Sequence, residues 1–338
     1  MQTNTVGFGV VGINPRIRRA ILAGFTGARR ARLAAVCSRD RTKAEQVAAE
    51  LGCAGYDSYP DLLQDPAVDV VFICAPNDRH HAMSLQALSA GKRVICEKPL
   101  AITMADAEDM VKAAEATDRP ALVNFTYHSL SGHRFLARLL AEGAIGGLRH
   151  LDLSYWQARQ GLPGARTADA LFDVGSHAVD LALWWCDVGR AGNLRHITGQ
   201  DEGRGGLSNI VTAFGRTDHG AQVAIQLDRV AAGWRNGMVC RLVGEKGTLG
   251  LTFDTDQVEV TLAQFGEGSP EGLARQLTIP DDLQVSYRDF PAFHLDRLAA
   301  AVQGDGDFPD FGHGLRVQQV LAALRTAIDE RRWVEIGS

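Results

Sequence analysis

Asp173-Val174-Gly175-Ser176-His177-Ala178-Val179-Asp180 carries an imidazole flanked by two carboxylates at helical spacing. On a helix, positions 173, 177 and 180 lie close together around the axis and share one face. An imidazole one turn from a carboxylate suits proton transfer near neutral pH. Two structural alternatives stand beside this: Asp173 as the N-cap of the helix, and His177 as a hydrogen-bonded core histidine. A second segment, Cys96-Glu97-Lys98-Pro99-Leu100, puts a lysine and a glutamate just past an apolar run. The chain has only five lysines against thirty arginines, so a well-placed lysine is the more informative cation. An ammonium there could bind a substrate hydroxyl and stabilise the alkoxide that forms as hydride leaves; the alternative is an ion pair snorkelling to the surface.

Two further segments have the residue types of a nucleotide site. Gly12-Ile13-Asn14-Pro15-Arg16-Ile17 follows an apolar run where a Gly-x-Gly-x-x-Gly fingerprint would stand, but keeps only its first glycine. Asn14 tolerates positive φ better than other non-glycine residues, and Pro15 suits a first helical turn, so a tight turn offering amides to a pyrophosphate remains open beside an ordinary strand-to-helix turn. The earlier Gly7-x-Gly9-x-x-Gly12 spacing lies within the run itself and is set aside. Ser38-Arg39, with Lys43 one turn on, occupies the place where an acidic residue would bind an NAD ribose. A hydroxyl and a guanidinium favour a 2′-phosphate, hence NADP over NAD, with Asp40 as a partial acidic substitute.

The elements that must position these groups follow from periodicity. Strands are predicted at 6–11, 32–37, 68–74, 93–96 and 121–124, alternating with helices near 16–25, 42–51, 84–91 and 103–114, the last opened by a Thr103-x-x-Asp106 capping box. Such alternation implies a doubly wound parallel sheet with right-handed crossovers, whose ligands sit at the carboxyl ends of the strands. After a helix at 133–144 the pattern becomes alternating segments at 151–155, 222–227, 238–243 and 258–262, with a Glu245-Lys246-Gly247 turn, a helix at 174–185 and a last helix near 315–331. The expectation is a Rossmann domain over 1–124 and an α+β domain over 125–338 with a large, mostly antiparallel open sheet, the last helix packing back on the first domain.

Composition bounds the rest. Forty acidic and 35 basic residues give a net charge of −5, with no block of like charges, which disfavours a nucleic-acid partner. No apolar run approaches the ~20 residues of a membrane span, and residues 1–4 lack a cationic leader, so a cytoplasmic protein is expected. Cysteines at 37, 53, 74, 96, 186 and 240 form no Cys-x-x-Cys pair and read as buried hydrophobes; neither a disulfide frame nor a metal site is expected.

In this order, the segments resemble the Gfo/Idh/MocA oxidoreductase family, the relatives of glucose-fructose oxidoreductase and inositol dehydrogenase. The resemblance spans nearly the whole chain. It includes Ala75-Pro76-Asn77-Asp78-Arg79-His80, the run from Ala87 to Leu100, Glu142 to Gly146, Asp173 to Leu181, Gly244 to Leu249 and Arg332 to Ile336. It implies that Lys98, Asp173 and His177 match the catalytic residues, that Asp180 matches a further site carboxylate, and that Ala75, Pro76, Asn77, His80 and Glu97 line the cofactor. It also implies a cis peptide before Pro99. His128, beside Tyr127, stands where many members have arginine, which points to a different substrate pocket.

The expected activity is NAD(P)-dependent hydride transfer at a secondary alcohol or ketone of a sugar, cyclitol or related polyol. Tyr127, His128, Arg159 and Arg166 would meet the substrate with Asp173, His177 and Asp180, and Trp234, Arg235 and Asn236 could enter the pocket or a subunit contact. A homodimer or homotetramer through the open sheet is expected. Two rival functions are a cofactor-retaining enzyme that cleaves glycosides by transient oxidation and a non-catalytic cofactor-binding regulator.

Overall fold

The structure is a computed structural model that describes residues 5–158, 169–202, 208–255, 257–266 and 272–337. The chain divides into two compact units, Met1–Ser129 with Val285–Gln318, and Leu130–Gln284 with Gln319–Ser338.

The first unit alternates β1 (Val6–Val11), α1 (Pro15–Ala20), β2 (Ala31–Cys37), α2 (Arg41–Leu51), β3 (Ala54–Tyr56), α3 (Tyr59–Gln64), β4 (Val70–Ile73), α4 (His80–Ser89), β5 (Arg93–Cys96), α5 (Met104–Thr117) and β6 (Ala121–Val123). All six strands pair in parallel, in the order β3-β2-β1-β4-β5-β6. Strands covered on both faces must be apolar throughout, and every residue of β1 and β4 is buried. Thr103 caps α5 by accepting from the Asp106 amide at 3.1 Å, as its spacing predicts. Helix α1 is shorter than its pattern suggests, because the chain tightens into a 3-10 turn at Leu22–Thr26.

In the second unit α6 (Ser131–Ala141) precedes β7 (Leu148–Trp156), α7 (Ala170–Asp173), α8 (Gly175–Val188), β8 (Leu194–Asp201), β9 (Ile210–Thr217), β10 (Gln222–Asp228), β11 (Gly237–Gly244), β12 (Gly247–Asp254), β13 (Gln257–Gln264) and β14 (Arg275–Leu277). Helix α9 (Phe290–Val302) returns to the first unit, α10 (Phe311–Glu330) begins there and continues in the second, and β15 (Val334–Glu335) ends the second unit's sheet. That nine-stranded sheet runs β14-β13-β12-β11-β7-β10-β9-β8-β15 and is antiparallel except where β7 pairs with β10. Its strands alternate: Val223, Ile225 and Leu227 of β10 are buried, while Gln222 and Gln226 are exposed. Helix α8 packs on β7 and β10.

The division differs from a single boundary at 124, and α9 supplies the reason. Its buried Leu295, Leu298 and Val302 join Phe8, Val36 and Phe72 in one core. Each such side chain contributes about 2 kcal/mol on burial, enough to hold the segment on the first unit.

Candidate active site

In the first unit the strand order reverses between β1 and β4, the switch point where a crevice opens beyond the strand ends. Gly12 stands there with φ +93°, and a Cβ on it would come within 2.5 Å of the Cys74 carbonyl oxygen. Only glycine allows the two strand ends to approach so closely. The positive-φ role considered for Asn14 is not the one it has. Asn14 is extended (φ −138°) and caps α1, its side chain accepting from the Ile17 amide at 3.0 Å. Ile17, at the third fingerprint position, is buried in the core, and Ile13 is buried beside the turn.

At the end of β2, Ser38 is half-buried and Arg39 exposed. Asp40 is committed to capping α2, accepting from the Lys43 amide at 3.1 Å, which occupies one of its oxygens. After β4, Ala75 is half-buried, and Pro76 and Asn77 are exposed. His80 is fully buried, with Nδ1 2.8 Å from the Pro99 carbonyl and Nε2 3.1 Å from the Ala75 carbonyl. The ring thus ties the loop after β4 to the loop after β5.

Glu97 and Lys98 leave β5 half-buried, and the Lys98–Pro99 peptide is cis, as the resemblance implies. Glu97 accepts from Asn124 Nδ2 at 2.7 Å. Tyr127 and His128 sit in a 3-10 turn at Thr126–Ser129 and are buried; the His128 ring lies 6.0 Å from the rings of Phe308 and His313.

In the second unit α7 and α8 form a nearly continuous helical run, since the intervening Val174 stays in the right-handed helical region. Asp173, His177 and Asp180 therefore keep their common face. Asp169 is the cap of α7, accepting from the Leu171 amide at 2.8 Å, and α8 has no side-chain cap. The capping alternative for Asp173 falls: its carboxylate instead lies 3.4 Å from Arg229, just after β10. His177 is half-buried, its ring 6.4 Å from that of Tyr155, and Asp180 is fully buried. Arg159 and Arg166 lie outside the described residues.

Arg229, Arg325 and Tyr155 escaped sequence reasoning, whereas Trp234, Arg235 and Asn236 are expected from sequence at a pocket or a subunit contact. Arg229 is one arginine among thirty, and nothing in the local pattern marks it. Arg325 of α10 holds Asp169 at 3.0 Å. Tyr155 donates to Asn236 Oδ1 at 2.7 Å, and Asn236 accepts from Gln157 as well. Trp234, Arg235 and Asn236 brace the ends of β7 and β12, Trp234 against Trp156 and the other two against Asp254. The described cysteines are unpaired, and burial pushes their thiols up, to about 11 at Cys37 and about 12 at Cys186, which makes them inert packing groups.

A parallel sheet with a positive-φ glycine turn at its switch point, together with a second unit carrying an imidazole and two carboxylates on one helical face, defines a dinucleotide-binding oxidoreductase architecture. The chain belongs to the GFO/IDH/MocA family: residues 6–125 match the model of its oxidoreductase domain with an NAD-binding Rossmann fold, and residues 133–250 match its C-terminal domain. It is 31% identical over 256 residues to dTDP-3,4-didehydro-2,6-dideoxy-alpha-D-glucose 3-reductase of Streptomyces violaceoruber, covering 72% of this chain and 71% of that one. It is 24% identical to levoglucosan dehydrogenase of Pseudarthrobacter phenanthrenivorans, covering 81% and 82%. The crystal structure of an oxidoreductase domain protein from Kribbella flavida superposes with a TM-score of 0.85 at 26% identity, covering 99% of this chain and all of that one.

Proposed function

We propose that the chain interconverts a secondary alcohol and a ketone on a sugar, cyclitol or related polyol, using NADP in preference to NAD. Support comes above all from Asp173, His177 and Asp180 sharing one helical face, with Asp173 freed from capping and held by Arg229. By their names, the relatives given above are a 3-reductase of a didehydro-dideoxy sugar nucleotide and a dehydrogenase of levoglucosan. Gly12, whose positive φ and missing Cβ let the chain turn hard against the Cys74 backbone at the switch point, fits the tight strand-end turn that a dinucleotide site needs there.

A nicotinamide, when bound, supplies the hydride chemistry. The chain's own groups handle the proton and the charge. His177, neutral, accepts the hydroxyl proton on its ring nitrogen in oxidation and returns it in reduction. Lys98 Nζ donates to the same oxygen and stabilises its developing negative charge. Asp173, fixed by Arg229, orients the substrate or the imidazole. Glu97, Ala75, Pro76 and Asn77 line the cofactor; His80, buried between two carbonyls, acts by setting the loops on either side of it.

NADP preference rests on exposed Arg39, with Ser38 and Lys43, and on the capping duty that draws Asp40 away from a ribose. A homodimer or homotetramer would use the open face of the nine-stranded sheet, where Phe214 and Trp333 are each 52% exposed beside a depression of about 770 Å³. Among the described residues no helix is long and apolar enough to cross a membrane; unpaired cysteines support a cytoplasmic location.

Lys98→Ala and His177→Ala are each expected to lower turnover by about 100-fold or more with cofactor affinity little changed. The assay follows nicotinamide absorbance over a panel of sugars, inositols and keto sugars. Near-wild-type turnover in either variant would refute the assignment.

A further inference from the structure

A chain of buried hydrogen bonds runs away from Glu97 into the core of the first unit. Asn124 Nδ2 donates to Glu97 Oε1 at 2.7 Å, Asn124 Oδ1 faces His294 Nε2 at 2.7 Å, and His294 Nδ1 faces the Ser129 hydroxyl at 2.8 Å. Asn124 is 2% exposed, His294 1% and Ser129 0%. The first partner fixes every later one. A carboxylate can only accept, so the amide nitrogen of Asn124 must point at Glu97 and its oxygen at the ring. His294 Nε2 then carries the proton and donates, which leaves Nδ1 to accept from Ser129. The ring cannot turn to break this order, for it stacks on Phe290 at 5.7 Å and meets Phe308 at 5.8 Å. Burial also keeps it neutral, its pKa pushed down to about 3.

An apolar core would fill this space more simply, since each buried polar group costs free energy unless it is paired. The relay ends on the one residue joining β5 to Lys98, which gives it a purpose beyond packing. We infer that Ser129, His294 and Asn124 are positioning residues that lock the Glu97 carboxylate in one orientation toward the bound nicotinamide cofactor. This rests on Glu97 lining that cofactor, as proposed above. Asn124 reaches the site from β6 and His294 from α9, so a helix distant in sequence sets the geometry of a strand-end carboxylate.

The relay predicts a graded pattern. Asn124→Asp keeps the oxygen that His294 needs but turns a second carboxylate on Glu97, and is expected to weaken NADPH binding by about 10-fold or more. His294→Leu removes the donor to Asn124 and should weaken binding similarly, whereas His294→Gln, whose amide can still donate to Asn124, should recover most of it. Ser129→Ala, farthest from Glu97, should change it least. The measurement is NADPH and NADH titration by nicotinamide fluorescence on the full chain, with circular dichroism to establish the fold. Asn124→Asp and His294→Gln serve if His294→Leu does not fold. Folded Asn124→Asp protein binding like wild type, or His294→Gln binding no better than His294→Leu, would overturn the relay while leaving the oxidoreductase reading intact. Wild-type protein that binds neither cofactor would overturn both.

Discussion

Asp173 ends α7 with its carboxylate 3.4 Å from the guanidinium of Arg229, a side chain only 3% exposed, while the carboxylate itself is 36% exposed. The two partners are therefore not equivalent. Withdrawing the carboxylate takes an anion from a buried cation, while withdrawing the guanidinium leaves an anion that water still reaches. Asp173→Asn is expected to cost about 1–3 kcal/mol in urea unfolding, and Arg229→Met distinctly less. In turnover the order should narrow: Arg229→Met is expected to lower kcat/KM about 10-fold by removing the guanidinium that helps orient Asp173. Wild-type kcat/KM in Arg229→Met would mean that Asp173 needs no such support.

In the proposed reading, cofactor choice turns on Arg39. A guanidinium meeting a 2′-phosphate makes charge-assisted hydrogen bonds that a ribose hydroxyl cannot match. Arg39→Ala is expected to raise the NADPH dissociation constant about 10-fold or more and to leave that for NADH nearly unchanged. Tighter NADH than NADPH binding by the wild type would reverse the assignment of Ser38, Arg39 and Lys43.

Legibility in the sequence followed the physical range of each interaction. Strand β5 falls where its apolar run predicts, and the Thr103 cap forms where its spacing predicts, because both depend on near neighbours. The same holds for Asp173, His177 and Asp180, whose shared face is a property of helical pitch. Short edges such as β3 and β15 left no periodic trace, since two or three residues cannot carry one. Asn14 shows a local signal misassigned: asparagine serves both positive φ and helix capping, and here the glycine two residues earlier takes the positive φ. What stayed hidden is long-range. Arg229 meets Asp173 from 56 residues away, and His294 meets Asn124 from 170 residues away, pairings that no local pattern encodes.

Gly12 offers a direct test of the close strand-end packing. Alanine there would need a left-handed backbone and place its Cβ 2.5 Å from the Cys74 oxygen, a backbone atom that cannot swing aside. Gly12→Ala is expected to cost about 1–3 kcal/mol from backbone strain alone, and the forced separation of β1 from β4 should weaken cofactor binding further. Urea midpoints and fluorescence titration read the two effects separately. A variant as stable and as tight-binding as wild type would show that the strand ends do not meet so closely.

The open sheet can be tested without any ligand. Phe214 on β9 and Trp333 just before β15 are large and exposed on a sheet whose other residues there are mostly polar. If two copies meet on this face, a charge placed in its apolar part costs the association its desolvation. Phe214→Arg is expected to shift the protein toward monomer in sedimentation velocity while leaving the monomer folded. An unchanged sedimentation coefficient would move the contact elsewhere.

Acid stability should report on His294. In the unfolded chain its imidazole titrates near 6.5, whereas in the folded protein burial, with a lesser effect from nearby Arg297, pushes its pKa down to about 3. Above 6.5 both states hold a neutral ring and no pH dependence arises from it. Between 6.5 and about 3 the unfolded state binds a proton that the folded state refuses, so stability falls as pH falls, by on the order of 1 kcal/mol per pH unit. His294→Gln cannot take up that proton in either state. Its loss of stability between pH 6.5 and 4 is therefore expected to be shallower than that of the wild type, the carboxylates contributing equally to both. Parallel curves of unfolding free energy against pH for the two proteins would show that the ring can be protonated inside the fold, and would remove the fixed tautomer on which its order of hydrogen bonds depends.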